Sequence, residues 1–363
     1  MQSPRPLLEV RNLRTRYRTS RGVVKAVDGV SFSIGEHEVL GIAGESGCGK
    51  STLIKTLLRL LPGTAGYEAD RLSYRGRDLR AMSDREFRRS ILWREISLVP
   101  QSAMNSLNPV YRVGDQIIEA IRAHTTTGRR QCRERVAELF AVVGLEARLM
   151  DGYPHQFSGG MRQRAMIAMS LALDPGLVVM DEPTTGLDVL VQERILRNLR
   201  EIRSRIRSSI LLITHDIAVI AELSDRIGIM YAGRMMEQAP SVELFERPFH
   251  PYTLGLKNAF PSIRAMGREL ISIPGSPPNL IGDLPGCVFN ARCPFAVEDC
   301  RSTRPAELHV GPDHEVACLR TACVDDIRAR AAEKRTWHVS RDSSDRPSPN
   351  PAGLPRADAA EPS

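Results

Sequence analysis

Between residue 7 and about residue 235, short apolar runs alternate with amphipathic stretches, the arrangement of an α/β domain. Three runs, Val39–Ala43, Leu177–Met180 and Ile210–Thr214, have no polar face and predict strands buried on both sides. In Val191–Ser208 the apolar residues Ile195, Leu199, Ile202 and Ile206 recur at helical spacing, with arginines filling the solvated faces. From about residue 240 to 323 the texture changes. Prolines multiply, and five of the seven cysteines crowd into Cys287–Cys323, so a loop-rich appendage in need of a staple is expected. Beyond residue 338 too few apolar residues remain to offset chain entropy, and a disordered tail is expected.

Composition narrows the class without choosing a function. Of the 363 residues, 42% are hydrophobic and 26% charged, as in ordinary globular proteins, which excludes collagen and wholesale disorder. No apolar stretch approaches the ~20 residues of a membrane helix, and the N-terminus shows no secretory pattern. An odd number of cysteines without an export signal points to thiols or ligands rather than a disulfide framework. The net charge of +7 is compatible with nucleic acid, anionic lipid or nucleotide phosphates.

The chemistry begins at Gly44-Glu45-Ser46-Gly47-Cys48-Gly49-Lys50-Ser51, which fits G-x4-G-K-[ST] between a predicted strand and a helical run. Glycines let the backbone wrap a phosphate, and consecutive N–H groups at a helix N-terminus supply positive potential. Lys50 is placed to reach the β- and γ-phosphates and Ser51 to ligate Mg²⁺. Cys48 reads as a small filler. A second acidic site lies where Leu177–Met180 ends in Asp181 and Glu182. Adjacent residues at a strand end project to opposite sides, so Asp181 can hold Mg²⁺ while Glu182 polarises a water for in-line attack. Just before it, Phe157-Ser158-Gly159-Gly160-Met161-Arg-Gln-Arg164 offers a hydroxyl and a further helix N-terminus, a second anion-binding design. Two such sites suit a dimer in which each chain contributes a different one.

Together these residues resemble the nucleotide-binding subunit of an ATP-binding cassette (ABC) transporter, over roughly residues 7–323. Gly44–Thr52 resembles Walker A, and Val99-Pro-Gln101 the Q-loop. Ser158-Gly-Gly-Met161 resembles the signature, with Phe157 for Leu and Met161 for Gln. Asp181 and Glu182 match Walker B and its catalytic glutamate, Thr185–Asp188 the D-loop, and His215 the switch histidine. Tyr17 stands where the family places an adenine-stacking aromatic, a core or edge tyrosine being the alternative. The resemblance implies an α/β P-loop ATPase with a RecA-like core, an antiparallel β subdomain and a helical subdomain, plus a Cys-rich C-terminal extension. It places ATP on Tyr17, Gly44 to Thr52, Gln101, Ser158, Gly159, Gly160 and Asp188. Mg²⁺ falls to Ser51, Gln101 and Asp181, and catalysis to Glu182, His215 and Gln101. The implied division is a cassette at 1–240 with the helical part at about 101–170, an extension at 241–323, and a linker and tail at 324–363.

Met230-Tyr-Ala-Gly-Arg, His250-Pro-Tyr-Thr-Leu, Tyr153-Pro-His-Gln-Phe and Asn105-Ser-Leu-Asn-Pro are similar to the oligopeptide and dipeptide importer ATPases, with nickel and glutathione importers sharing much of the pattern. Such a subunit works with a second homologous ATPase, two membrane permeases and an extracytoplasmic binding protein. That implies a peripheral place on the cytoplasmic face of the inner membrane and no nucleic-acid partner. The surface between Gln101 and the signature would receive the permeases' coupling helices. Cys287-x5-Cys293-x6-Cys300-x17-Cys318 does not match zinc knuckles, whereas four thiolates at looser spacing suit a [4Fe–4S] cluster at least as well. In the resembled branch, four such cysteines look like cluster ligands. Zinc and unligated thiols remain the alternatives, and Cys132 and Cys323 are left over. Two other readings stand beside the importer: a soluble ABC ATPase acting on nucleic acid or ribosomes, and a redox-responsive role for the appendage. The first usually carries two cassettes or a coiled-coil insertion, and neither is present.

Overall fold

The computed structural model describes residues 5–101, 106–183, 189–259 and 271–338, without the side chains of 189–195 and 198. Two long strands, β1 (Leu8–Thr19) and β2 (Gly22–Ile34), pair antiparallel; β3 (Val39–Ala43) and helix α1 (Lys50–Leu57) follow. β4 (Ala65–Glu68) and β5 (Arg71–Tyr74) return to pair with β1, and β6 (Arg77–Asp78) pairs with β5, completing a five-stranded antiparallel sheet. After α2 (Asp84–Ser90), β7 (Ile96–Val99) enters a second sheet. Helices α3 (Val113–His124), α4 (Arg129–Val142) and α5 (Gly159–Ser170) form a helical unit before β8 (Leu177–Asp181). Then come α6 (Val189–Arg205), β9 (Ser209–Thr214), α7 (Ile217–Leu223), β10 (Arg226–Tyr231) and β11 (Arg234–Pro240).

The second sheet runs β10-β3-β9-β8-β7 in parallel, and β11 turns back antiparallel on β10. Its central strands β3, β8 and β9 are almost wholly apolar because both faces are covered. Leu40, Ile42, Leu211 and Ile213 point to the layer of α1 and the antiparallel sheet, while Val39, Ala43, Ile210 and Leu212 point to the opposite core with α7. This is the two-residue alternation of a strand with apolar layers on each side. The helix expected over Val191–Ser208 forms as α6, with Leu199 and Ile202 buried.

Beyond β11, α8 (Ser241–Glu246) and α9 (Pro251–Ala259) lead into mostly irregular chain. Two short strands, β12 (Leu308–Gly311) and β13 (His314–Val316), then add to the free edge of β11, so the appendage extends the core sheet to eight strands. Where a linker is expected from residue 324, the chain instead forms the helices Val324–Ala331 and Lys334–His338. Val324, Ile327, Ala331 and Trp337 bury one face, and the Trp337 Nε1–H donates to Ala331 O at 2.9 Å. Residues 339–363, the expected tail, lie outside the described residues, as do Asn105 and Thr185–Asp188.

Candidate nucleotide site and cysteine pocket

The five buried residues of β3 deliver the chain to Gly44, where a Cβ would collide with the Met230 carbonyl. At Gly49 φ is 108°, and a side chain there would strike the Ala26 carbonyl, so only glycine lets α1 begin at Lys50. Lys50 is 4% exposed and folds back on its own loop, donating to Gly44 O at 2.6 Å and Glu45 O at 3.0 Å. Burial pushes the Cys48 thiol up against the pull of Lys50, as suits a filler. Tyr17 on β1 meets Thr52, their hydroxyls 3.3 Å apart.

Parallel pairing of β7, β8 and β9 brings three strand ends together at the mouth of this loop. Asp181 closes β8, and its Oδ1 lies 3.5 Å from the Ser51 hydroxyl. Burial, then the charge of Glu182, pushes the Asp181 carboxyl above its ordinary value, with Ser51 and Lys50 opposing. Glu182 adopts φ of 46°, a left-handed backbone at a non-glycine residue, and its N–H donates to Ile213 O at 2.7 Å. Strain of that kind gathers at functional positions. The Glu182 carboxylate accepts from Gln101 Nε2 at 2.8 Å and faces His215 Nδ1 at 3.2 Å. Ser51 and Asp181 present hard oxygen donors beside the phosphate loop, a set that fits Mg²⁺.

Gln101, Ser51, Asp181, Glu182 and His215 thus meet around the loop of Gly44 to Thr52. Ser158, Gly159 and Gly160 stand apart in the helical unit, where the Ser158 hydroxyl caps its own helix by accepting from Met161 N at 3.3 Å. Asp188 lies outside the described residues.

Sequence reasoning missed the groups that tie the C-terminal extension to this core. Glu237 of β11 is 1% exposed and accepts from Phe249 N, His250 N and His314 Nε2 at 2.6, 3.0 and 2.8 Å. A buried carboxylate is tolerable when so many donors satisfy it. Tyr252 and Arg292 reach the phosphate loop itself, through Glu45. The one local hint was that Arg292 precedes a spaced cysteine.

Cys287, Cys293, Cys300 and Cys318 line one narrow pocket together with His250 and Phe289. Burial pushes the Cys287 and Cys293 thiols up, and that of Cys318 up to about 11, so these are neutral thiols near pH 7. Burial also holds His250 down at about 3. Tyr252 N–H donates to its Nδ1, which leaves the proton on Nε2, and Nε2 has no partner among the described residues. The metal-ligand arrangement expected from the cysteine spacing is not formed. Among the described residues no group of three or more His, Cys, Asp or Glu could hold a metal ion, and all seven cysteines are free. A metal would have to draw these thiols together and displace the protons that burial favours on Cys287, Cys293 and Cys318.

Comparison with known proteins agrees with this geometry. The ABC transporter family profile matches residues 27–185, and that of the oligopeptide/dipeptide transporter C-terminal region matches residues 236–300. An AAA-domain profile matches residues 151–221, overlapping the first over residues 151–185. A probable peptide ABC transporter ATP-binding protein of Sinorhizobium fredii is 44% identical over 320 residues, 87% of this chain and 95% of that one. The dipeptide transport ATP-binding protein of Bacillus subtilis is 41% identical, covering 86% of this chain and 94% of its own length. The oligopeptide transport ATP-binding protein of Salmonella typhimurium is 42% identical, covering 88% and 96%. Among solved structures, a dimeric ATP-binding cassette bound to ADP and phosphate superposes with a TM-score of 0.56 at 25% identity, over 64% of this chain and 98% of that one. The chain belongs to the ATP-binding proteins of ABC transporters, in the oligopeptide/dipeptide branch.

Proposed function

We propose that this chain hydrolyses ATP to energise the import of di- or oligopeptides. The observation that carries the reading is the Glu182 carboxylate, held between Gln101 and His215 beside Ser51, Asp181 and the phosphate loop. On nucleotide arrival Lys50 exchanges two loop carbonyls for phosphate oxygens, a charge-assisted contact. Glu182 then orients the attacking water and accepts its proton, while His215 contacts the γ-phosphate. Mg²⁺, held by Ser51 and Asp181 with Gln101 nearby, would neutralise charge on the β- and γ-phosphates. Tyr17 stacks on adenine. Ser158 to Gly160 and Asp188 serve the nucleotide of a partner ATPase, which supports a two-chain sandwich with a second homologous subunit.

The coupled assembly adds two permeases and an extracytoplasmic binding protein, with this chain on the cytoplasmic face of the inner membrane. Among the described residues no helix is long and apolar enough to cross a membrane. The working division is a cassette to residue 240, with a helical part at about 101–170 that meets the permeases, and the extension beyond. Uptake of a labelled dipeptide and a labelled pentapeptide into vesicles bearing the full complex tests the cargo, with nickel and glutathione as competitors. Uptake that is ATP-dependent, and unaffected by either competitor, is the expected result.

The cysteine pocket takes a finer reading, a [4Fe–4S] cluster on Cys287, Cys293, Cys300 and Cys318. Its support is four cysteines and the unpartnered His250 Nε2–H on one pocket. The cluster would require all four thiols to lose their protons and move onto it. Absorbance near 400 nm in anaerobically purified protein, lost in Cys293→Ser, is expected; colourless protein with stoichiometric zinc would sink the assignment.

A further inference from the structure

Residue 45, the second residue of the phosphate loop, is gripped from outside the cassette. Its N–H donates to the Tyr252 hydroxyl at 3.0 Å, so this amide is committed to α9 rather than to phosphate. Its carboxylate accepts from Arg292 Nη1 at 2.7 Å across 247 residues of sequence. The Arg292 side chain is only 7% exposed and has no slack. Its Nε donates to Pro274 O at 2.9 Å, Nη2 to Ile273 O at 3.3 Å, and Nη1 also to the Tyr231 hydroxyl at 3.2 Å. The guanidinium is thereby oriented by the extension before it meets Glu45. The Glu45 carbonyl, in turn, accepts from Lys50.

We infer that Arg292 is a positioning residue for ATP: it reaches from the C-terminal extension to hold Glu45, and through it the phosphate loop, in the shape that binds nucleotide. The inference rests on the ATPase reading. A free loop must be ordered when phosphate binds, whereas a loop held at its second residue has met part of that cost beforehand. Arg292 acts on binding rather than on the chemical step, since it contacts neither Glu182 nor Asp181. Arginine suits the task because its planar fork serves several acceptors at fixed angles.

The test uses the full-length chain, with MgATP affinity by equilibrium titration and ATPase kinetics on the same preparations. Hydrogen bonds to charged groups contribute enough that Arg292→Ala should raise Kd and KM for ATP about tenfold, with kcat held within about twofold. Arg292→Lys keeps the charge but not the fork, so it should recover only part of the affinity. Glu45→Gln should weaken binding similarly while leaving the other bonds of Arg292 intact, so it carries the test even if Arg292→Ala fails to fold. Combined with Arg292→Ala, it should cost no more than either change alone. As a control, Arg320 donates to Phe295 O in the same extension without touching the loop. Arg320→Ala should lower the melting temperature and leave ATP affinity unchanged. Unaltered affinity in Arg292→Ala, multiplying losses in the double variant, or an equal loss in Arg320→Ala overturns the inference. A wild-type chain that binds no MgATP overturns the ATPase reading itself.

Discussion

Glu182 is the residue on which hydrolysis turns, and its surroundings set two expectations. Glu182→Gln keeps the shape and the contact with Gln101 but loses the base, so steady-state phosphate release should fall on the order of 10²–10⁴-fold. ATP affinity, measured by equilibrium binding, should stay close to wild type; retained turnover would remove Glu182 from its role. Asp181 makes a different case. Burial holds the Asp181 carboxyl of the folded protein above the ordinary 3.8, so only between those two values does it keep a proton that the unfolded chain has released. Its contribution to stability therefore falls as pH rises from the ordinary value through the folded one, and at pH 7 it is a cost. Asp181→Asn should accordingly raise the melting temperature of nucleotide-free protein at pH 7 while abolishing the dependence of ATP binding on Mg²⁺. A lowered melting temperature would contradict the sign. Lys50→Ala removes a cation aimed at phosphate and should weaken ATP binding by roughly 10- to 100-fold, as for other charge-assisted bonds.

At the scale of elements, the connection between β11, α9 and the cysteine pocket responds to acid through His250. His250 is neutral because burial lowers its value from 6.5 to about 3, so the unfolded chain takes up this proton first. The stability it protects is complete above 6.5 and is lost as pH falls towards 3, by about 1.4 kcal/mol per unit. Denaturant melts at pH 7 and pH 5 should differ by roughly 2 kcal/mol from this group, and His250→Gln should flatten that difference. Elements built on short-range pattern were legible beforehand. β3, β8 and β9 show themselves as apolar runs because both their faces are covered, and the Gly49 turn is written in its glycine. β12 and β13 were not, since Leu308–Gly311 and His314–Val316 are three or four residues long and carry only half a face of apolar side chains. Trp337 closes a helix whose apolar face needs α9 to explain it. The nucleotide site divides along the same line. Lys50, Ser51, Asp181 and Glu182 announce themselves by motif, while the pairing of Glu45 with Arg292 depends on a contact no local spacing encodes.

For the whole molecule, the order in which the chain leaves the ribosome matters. The edge of β11 is complete at residue 240, but the strand that covers it ends at residue 316. At ~5–20 residues per second, the growing protein spends roughly 4–15 seconds with β11 already made and the strand that covers its edge still to come. Uncovered edges are templates for another chain. A version stopped after residue 300 should therefore sediment as aggregate at concentrations where the full chain stays monodisperse. The late strands act as a seal applied at the end of synthesis, and a cell making this protein must keep neighbouring nascent copies apart until that seal is in place.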